Sequence, residues 1–142
     1  MTPPVAKEAV IRYFKQDRFA EFIGIELLDV AEGWSRARLK IKKHHLNAVD
    51  YVHGGVLFSL ADLAFAAAVN SRGLLAVAIN NSISYVKSVE GDVIFAEARE
   101  ISSNQRIASY TVDITDATGQ VVSIFQGMAY RKRAKIDFTK KD

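Results

Sequence analysis

Cysteine is absent from the 142 residues, so disulfides and thiolate-ligated metal sites are excluded. No apolar stretch reaches membrane-spanning length, because Arg72 closes the longest candidate. The N-terminal MTPPVAKEAVIRYFKQD is too charged for a signal peptide, and the expectation is a cytoplasmic protein without membrane partners. A Gly-Xaa-Ser-Xaa-Gly elbow is missing, which removes support for a serine hydrolase. No phosphate-binding loop or dinucleotide fingerprint occurs either. A broadly basic surface is lacking as well. Net charge is +3, but the last fourteen residues, AYRKRAKIDFTKKD, carry a balance of +4, leaving −1 for the other 128. The basic character belongs to a tail of about 131–142, and nucleic acid is not an expected partner.

What remains suits one soluble domain spanning 1–142, with one core. Pro3 and Pro4 fit a helix start. Ala6, Val10, Tyr13 and Phe14 follow at helical spacing, which predicts one amphipathic helix over about 4–17. After Gly24, IELLDV and WSRARLKI read as two strands joined at Glu32-Gly33, the second alternating Ala37, Leu39 and Ile41 with basic residues. A polar loop over 42–53 leads to a long apolar helix from Gly54 to about Asn70, closed by Arg72-Gly73. Four strands follow: LLAVAINNSISYVKS (long and bent), DVIFAEAREI, IASYTVDIT and VVSIFQGMAYR. Their short turns predict antiparallel neighbours. Without regular βαβ alternation, the fold class is α+β: a curved antiparallel sheet around one long helix.

That helix holds the candidate chemistry. Asp62 is the only charge between Gly54 and Val69, and Ser59 the only other polar side chain. A carboxylate in a buried helix costs several kcal/mol unless paired, hydrogen-bonded or protonated. Its structural reading is a salt bridge to Lys87 or Arg99, with Ser59 solvating it locally. Its functional reading couples it to His53-Gly54-Gly55, since amides at a helix N-terminus can cradle an anion or a developing oxyanion. Asp62 lies ~12 Å along the axis from Gly54, at ~1.5 Å rise per residue. One helix therefore cannot bring both to one carbonyl. If both act, a second, roughly antiparallel copy must supply the acid, so the catalytic reading predicts a two-fold dimer with shared sites. Asn47 can orient water or bond a carbonyl, or simply hold its loop. His53 can polarise a substrate or fix the loop. His44 and His45, beside Lys42 and Lys43, are read as solvent-facing, and no third ligand is spaced to make them a metal site.

Asn47, His53-Gly54-Gly55 and Asp62 within an apolar helix, in this order of elements, resemble the hotdog-fold acyl-CoA thioesterases of the PaaI-like (phenylacetate-degradation) type, over about Phe22 to Arg131. The resemblance implies a helix wrapped by a sheet, paired into a homodimer and often a dimer of dimers. It implies thioester hydrolysis with no cofactor or metal, coenzyme A being part of the substrate. By that resemblance the Gly54 amide meets the thioester carbonyl. Asp62 of the other subunit is base or nucleophile, Asn47 holds water or substrate, and His53 supports the site. Some relatives place Ser or Thr near the acid where this chain has Ala78. Asn80, Asn81 and Ser82 are nearby, and Gly55, Asn81 and Ser82 are taken as candidate substrate contacts. Arg131, Lys132 and Arg133, with Lys87 and Arg106 behind them, are candidates for the coenzyme's phosphates. Val56, Leu57, Phe58, Leu63 and Phe65 are available to line an acyl pocket. A non-catalytic acyl-CoA-binding module is the competing function. A hydratase is disfavoured because His53 and Asp62 are nine residues apart.

Overall fold

The computed structural model describes residues 5–139. Pro3 and Pro4, and the last three residues of the basic tail, lie outside the described residues.

The chain begins with two short helices, α1 (Lys7–Phe14) and α2 (Arg18–Ile23), rather than the one expected over 4–17. The break is made by Asp17, whose carboxylate accepts from Ala20 N at 2.9 Å and caps a new helix. Gly24, at φ 92°, ends α2 in the left-handed region that favours glycine. Strands β1 (Ile25–Ala31) and β2 (Trp34–Lys40) form the predicted hairpin. A single 3-10 turn over Lys43–His45 and an irregular loop lead to α3 (Gly54–Asn70). Then come β3 (Leu74–Tyr85), β4 (Val93–Ser103), β5 (Ile107–Asp116) and β6 (Val121–Lys135).

All six strands form one antiparallel sheet in the order β1-β2-β4-β5-β6-β3. The expectation that β3 and β4 are neighbours is therefore corrected. Helix α3 carries the chain from β2 across the sheet, so β3 is laid down against β6 at the far edge, and β4 returns to pair with β2. Helix α3 touches every strand, which requires the sheet to curl around it. This is the hotdog arrangement in its α+β form.

The packing follows from side-chain size. Ala37, Ala96, Ala98 and Ala108 on the inner face are fully buried and let the helix sit close, while Leu57, Leu60 and Phe65 fill the space between. At Gly127 an added Cβ would stand 2.9 Å from the Phe65 ring, so only glycine fits there. A second small cluster joins Val10, Val30 and Phe138. It shows that the basic run is not a loose tail: residues 131–135 extend β6, and Phe138 packs back on α1. One stripe of α3 stays uncovered, formed by Gly55, Ser59, Asp62 and Ala66, and it carries the acid.

Candidate active site

The loop before α3 is built by its own polar groups. Asn47 Oδ1 accepts from Val49 N at 3.0 Å and from Tyr51 N at 3.1 Å. These bonds engage the Asn47 amide oxygen in holding its own loop. Asp50, at φ 62°, makes the left-handed step that turns the loop. His45 is buried, contrary to the solvent-facing expectation. Its Nδ1 accepts from Lys42 N at 2.8 Å, so Nε2 carries the hydrogen donated to Ile23 O at 2.6 Å. It ties the loop to the end of α2, and His53 N then bonds His45 O at 2.9 Å.

His53 caps α3. Its Nδ1 accepts from Gly55 N at 2.8 Å, and its carbonyl accepts from Val56 N at 2.9 Å and Leu57 N at 3.3 Å. Three of the four amides that a helix start leaves open are thus engaged. Of the four, Gly54 N is the one for which no acceptor is found among the described residues. It points out at the positive end of the helix dipole, and its own peptide carbonyl is polarised by two donors. Gly55 is a different case from the substrate contact expected: its amide is taken by His53, and its missing Cβ clears 3.0 Å for that ring. Neither glycine has positive φ, so backbone conformation asks for neither. Gly54 is glycine because of what comes near it. Tyr85, at the end of β3, donates its hydroxyl to Gly54 O at 3.0 Å, with its ring 3.0 Å from where a Cβ would stand. Sequence reasoning missed Tyr85, since one aromatic at a strand end carries no distinguishing signal. A cleft of about 400 Å³ opens beside Gly54, walled by Leu57, Tyr85 and Val89, with Lys87 at its rim.

Asp62 sits two turns further along α3, half-buried and facing the start of α2. Neither cation proposed as a structural partner reaches it. Arg99 pairs with Glu97 at 3.1 Å and Asp113 at 3.0 Å, and Lys87 meets Gln120 and Glu90. Ser59 donates to Gly55 O at 2.7 Å instead. Among the described residues the acid's hydrogen-bond partner is Asn81, whose Nδ2 lies 3.3 Å from Asp62 Oδ1. Burial raises the Asp62 pKa above the ordinary aspartate range, the charge of Asp17 adds to this, and Asn81 opposes it. A cleft of about 260 Å³ lies against the acid, lined by Phe19, Ile25, Phe58 and Leu63. The Gly54 cleft and the Asp62 cleft share no lining residue.

The other expected contacts are dispersed. Ser82 lies opposite Gln126 on the outer face of the sheet, away from α3. Arg131 is buried on the inner face and bonds Asn104 O at 2.9 Å and Ser103 Oγ at 3.2 Å, so it is no surface phosphate ligand. Lys132 and Arg133 are exposed, but they lie near the start of β3, at the opposite end of α3 from the same chain's Gly54. Among the described residues, no cluster of three acidic or histidine side chains could hold a metal.

The thioesterase superfamily model matches residues 50–123, which include the loop, the glycine pair, Asp62 and most of the sheet. The chain belongs to the thioesterase superfamily. Within it, this thioesterase-fold chain is of the PaaI-like type. It is 33% identical over 119 residues to acyl-coenzyme A thioesterase PaaI of Escherichia coli K12, covering 83% of this chain and 85% of that protein. The solved structure of E. coli PaaI superposes with TM-score 0.85 at 29% identity, over 94% of this chain and 100% of that one. An Archaeoglobus fulgidus protein is 40% identical over 119 residues, 83% of this chain and 77% of its own length. A hypothetical thioesterase protein of Streptococcus pneumoniae TIGR4, solved with coenzyme A, matches with TM-score 0.80 at 25% identity, over 89% and 99% of the two chains.

Proposed function

We propose that the protein is an acyl-CoA thioesterase, hydrolysing an acyl- or aryl-acyl-CoA to free acid and coenzyme A at a site shared between two subunits. The observation that carries this reading is Asp62, a half-buried carboxylate with no cation among the described residues and a raised pKa. A buried structural acid is normally paired with a cation; among the described residues this one has only the Asn81 amide. Its relatives support the chemistry: PaaI of E. coli is named an acyl-coenzyme A thioesterase, and the S. pneumoniae protein holds coenzyme A.

In the proposed mechanism the thioester carbonyl oxygen approaches the open Gly54 amide. Water attacks the carbonyl carbon as Asp62 of the second subunit takes its proton, and Gly54 N–H stabilises the oxyanion. The C–S bond then breaks, and the leaving sulfur takes the proton back from Asp62 and departs as the free thiol. Attack by the Asp62 carboxylate itself is the variant of this path, water then hydrolysing the anhydride. No cofactor is required. His53 acts by capping the helix and leaving Gly54 as the free donor. Lys87 at the rim of the Gly54 cleft, together with exposed Lys132 and Arg133 of the second subunit, is the source of positive charge for the coenzyme's phosphates.

The dimer is supported by the monomer's own surfaces. Strand β3 is a twelve-residue edge with Val77 and Ile79 exposed, an open template for a second strand. Pairing two β3 edges about a two-fold axis would set the α3 helices side by side and antiparallel. The small side chains of the Gly55–Ser59–Ala66 stripe permit that approach. Phe19 and Phe22, 62% and 83% exposed beside the Asp62 cleft, would gain cover. A cytoplasmic, homodimeric or homotetrameric enzyme is the form proposed; no helix among the described residues is long and apolar enough to cross a membrane.

The test is free-thiol release from aromatic, short-chain and long-chain acyl-CoAs, with Asp62→Ala and Asp62→Asn beside the wild type. Hydrolysis lost by orders of magnitude in folded, dimeric variants supports the proposal. An inactive wild type that binds acyl-CoA tightly would replace it with the binding-module reading.

A further inference from the structure

Strand β3 changes face midway. Ala78 pairs with Ala129 and Asn80 with Met128, leaving Ile79 as an extra residue in the ladder. Before this bulge the inward positions are Ala76 and Ala78, opposite buried Arg131 and Ala129. After it they are Asn81 and Ile83, opposite Gly127 and buried Phe125. An unbulged strand would have turned Asn80 and Ser82 inward and Asn81 out. The bulge thus re-aims one amide side chain at the one acid of α3. The facing position is Gly127, which presents no side chain of its own.

The amide is only half satisfied. Nδ2 donates to Asp62 Oδ1 at 3.3 Å, while Oδ1 of Asn81 is buried without a partner. An orphaned buried acceptor costs stability, and an apolar residue of similar shape would avoid that cost. Ala78, on the same inner face, offers only a methyl group. A residue that is unfavourable for folding and reaches the candidate acid is explained by its use there.

We infer that Asn81 is a positioning residue for Asp62, holding one carboxylate oxygen by its amide so that the other is presented to the reacting water or carbonyl. Asn81 is thereby moved from the substrate contacts to the support of the acid. This rests on the thioesterase reading of the site. The charged groups around the acid are few: Asp17 at the start of α2 adds a negative charge, β3 contributes the neutral Asn81, and α3 has no second charge. Among the described residues no basic side chain is found acting on the Asp62 carboxyl.

The experiment compares the wild type with Asn81→Leu and Asn81→Ala in the intact oligomer. Four quantities are read: kcat and KM for the best acyl-CoA, the pH–rate profile, the thermal midpoint, and the Asp62 carboxyl titration by carbon NMR. The expected result is a kcat lower by about tenfold, the worth of one hydrogen bond to an ionised group, with KM within about twofold. The acid limb and the Asp62 titration both move to higher pH, because the donor that favours the carboxylate is gone. Asn81→Leu melts no lower than the wild type. An Asp62 titration unmoved in both variants overturns the inference, as does a kcat unmoved where the titration shifts. A rise in KM alone overturns it too, by returning Asn81 to substrate contact. A wild type without hydrolase activity would defeat the thioesterase proposal, and the titration would still decide whether Asn81 governs Asp62.

Discussion

Replacing Gly54 by alanine separates the catalytic role of its amide from its role in folding. The new Cβ would stand 3.0 Å from Tyr85 Cζ and Oη. Tyr85 is 53% exposed, so its ring can swing aside by the few tenths of an ångström required. That movement loses the bond to Gly54 O, worth about 0.5–1.5 kcal/mol net. Alanine returns up to about 1 kcal/mol of helix propensity over glycine. The two nearly cancel, so the unfolding free energy should change by less than about 1 kcal/mol. The rate should not be spared. A methyl group beside the only open amide of the first turn blocks a carbonyl oxygen from reaching it. Loss of one oxyanion donor costs about 2.7–4 kcal/mol, or roughly 10²–10³ in rate. Urea unfolding and thiol-release kinetics on one preparation give both numbers. A Gly54→Ala protein that keeps kcat/KM within about threefold would refute the assignment of this amide. Tyr85→Phe, which keeps the ring and loses the hydroxyl, should change the rate far less.

The raised pKa of Asp62 places the acid limb of the pH–rate profile above the ordinary aspartate range, and a limb near pH 4 would contradict it. Because burial disfavours the ionised form, the carboxylate destabilises the fold above its raised pKa, and the penalty is relieved as pH falls through that value. Asp62→Asn should therefore melt higher than the wild type at neutral pH, by a margin that shrinks on acidification. Gly127→Ala forces a Cβ within 2.9 Å of Phe65, which is 1% exposed and cannot yield. It should cost about 1–3 kcal/mol in chemical denaturation, and an unchanged midpoint would show that the core gives more easily than the packing implies.

The legible parts of this molecule are those where one local pattern decides. Alternation in IASYTVDIT identified β5 with its buried face, Ala108, Tyr110, Val112 and Ile114. The apolar run after His53, broken by one charge at Asp62, gave α3 its observed ends. What escaped was decided by partners distant in sequence or by one side chain's hydrogen bond. Asp17 splits the N-terminal helix through a cap that helical periodicity does not register. Strand β3 pairs with β6 because α3 has carried it across the sheet, which turn lengths cannot reveal. The bulge at Ile79 reverses the strand's faces, so Asn81 and Ser82 looked equivalent in sequence and are not. His53 and Asn47 were ambiguous for a related reason. Both side chains act on their own backbone, and which nitrogen or oxygen is thereby occupied becomes visible only in three dimensions.

The shared site itself admits a decisive test through mixed dimers. Gly54→Ala blocks access to the oxyanion donor of a site, and Asp62→Asn removes its acid. If each site takes Gly54 from one subunit and Asp62 from the other, a dimer of the two variants holds one site with both defects and one with neither. Random reassortment makes half of all dimers mixed, each with one of two sites intact, so the mixture should recover about one quarter of wild-type activity from two nearly inactive parents. A site built within one chain gives no recovery, since every chain carries a lesion. The spacing favours recovery: the two groups lie ~12 Å apart along one helix, beyond joint reach of one carbonyl, and open into clefts with no common wall. Arginine at Val77 or Ile79 provides the control. Charge on the β3 edge should block strand pairing, and both dimer and recovery should be lost together while the monomer's strand and helix content persists.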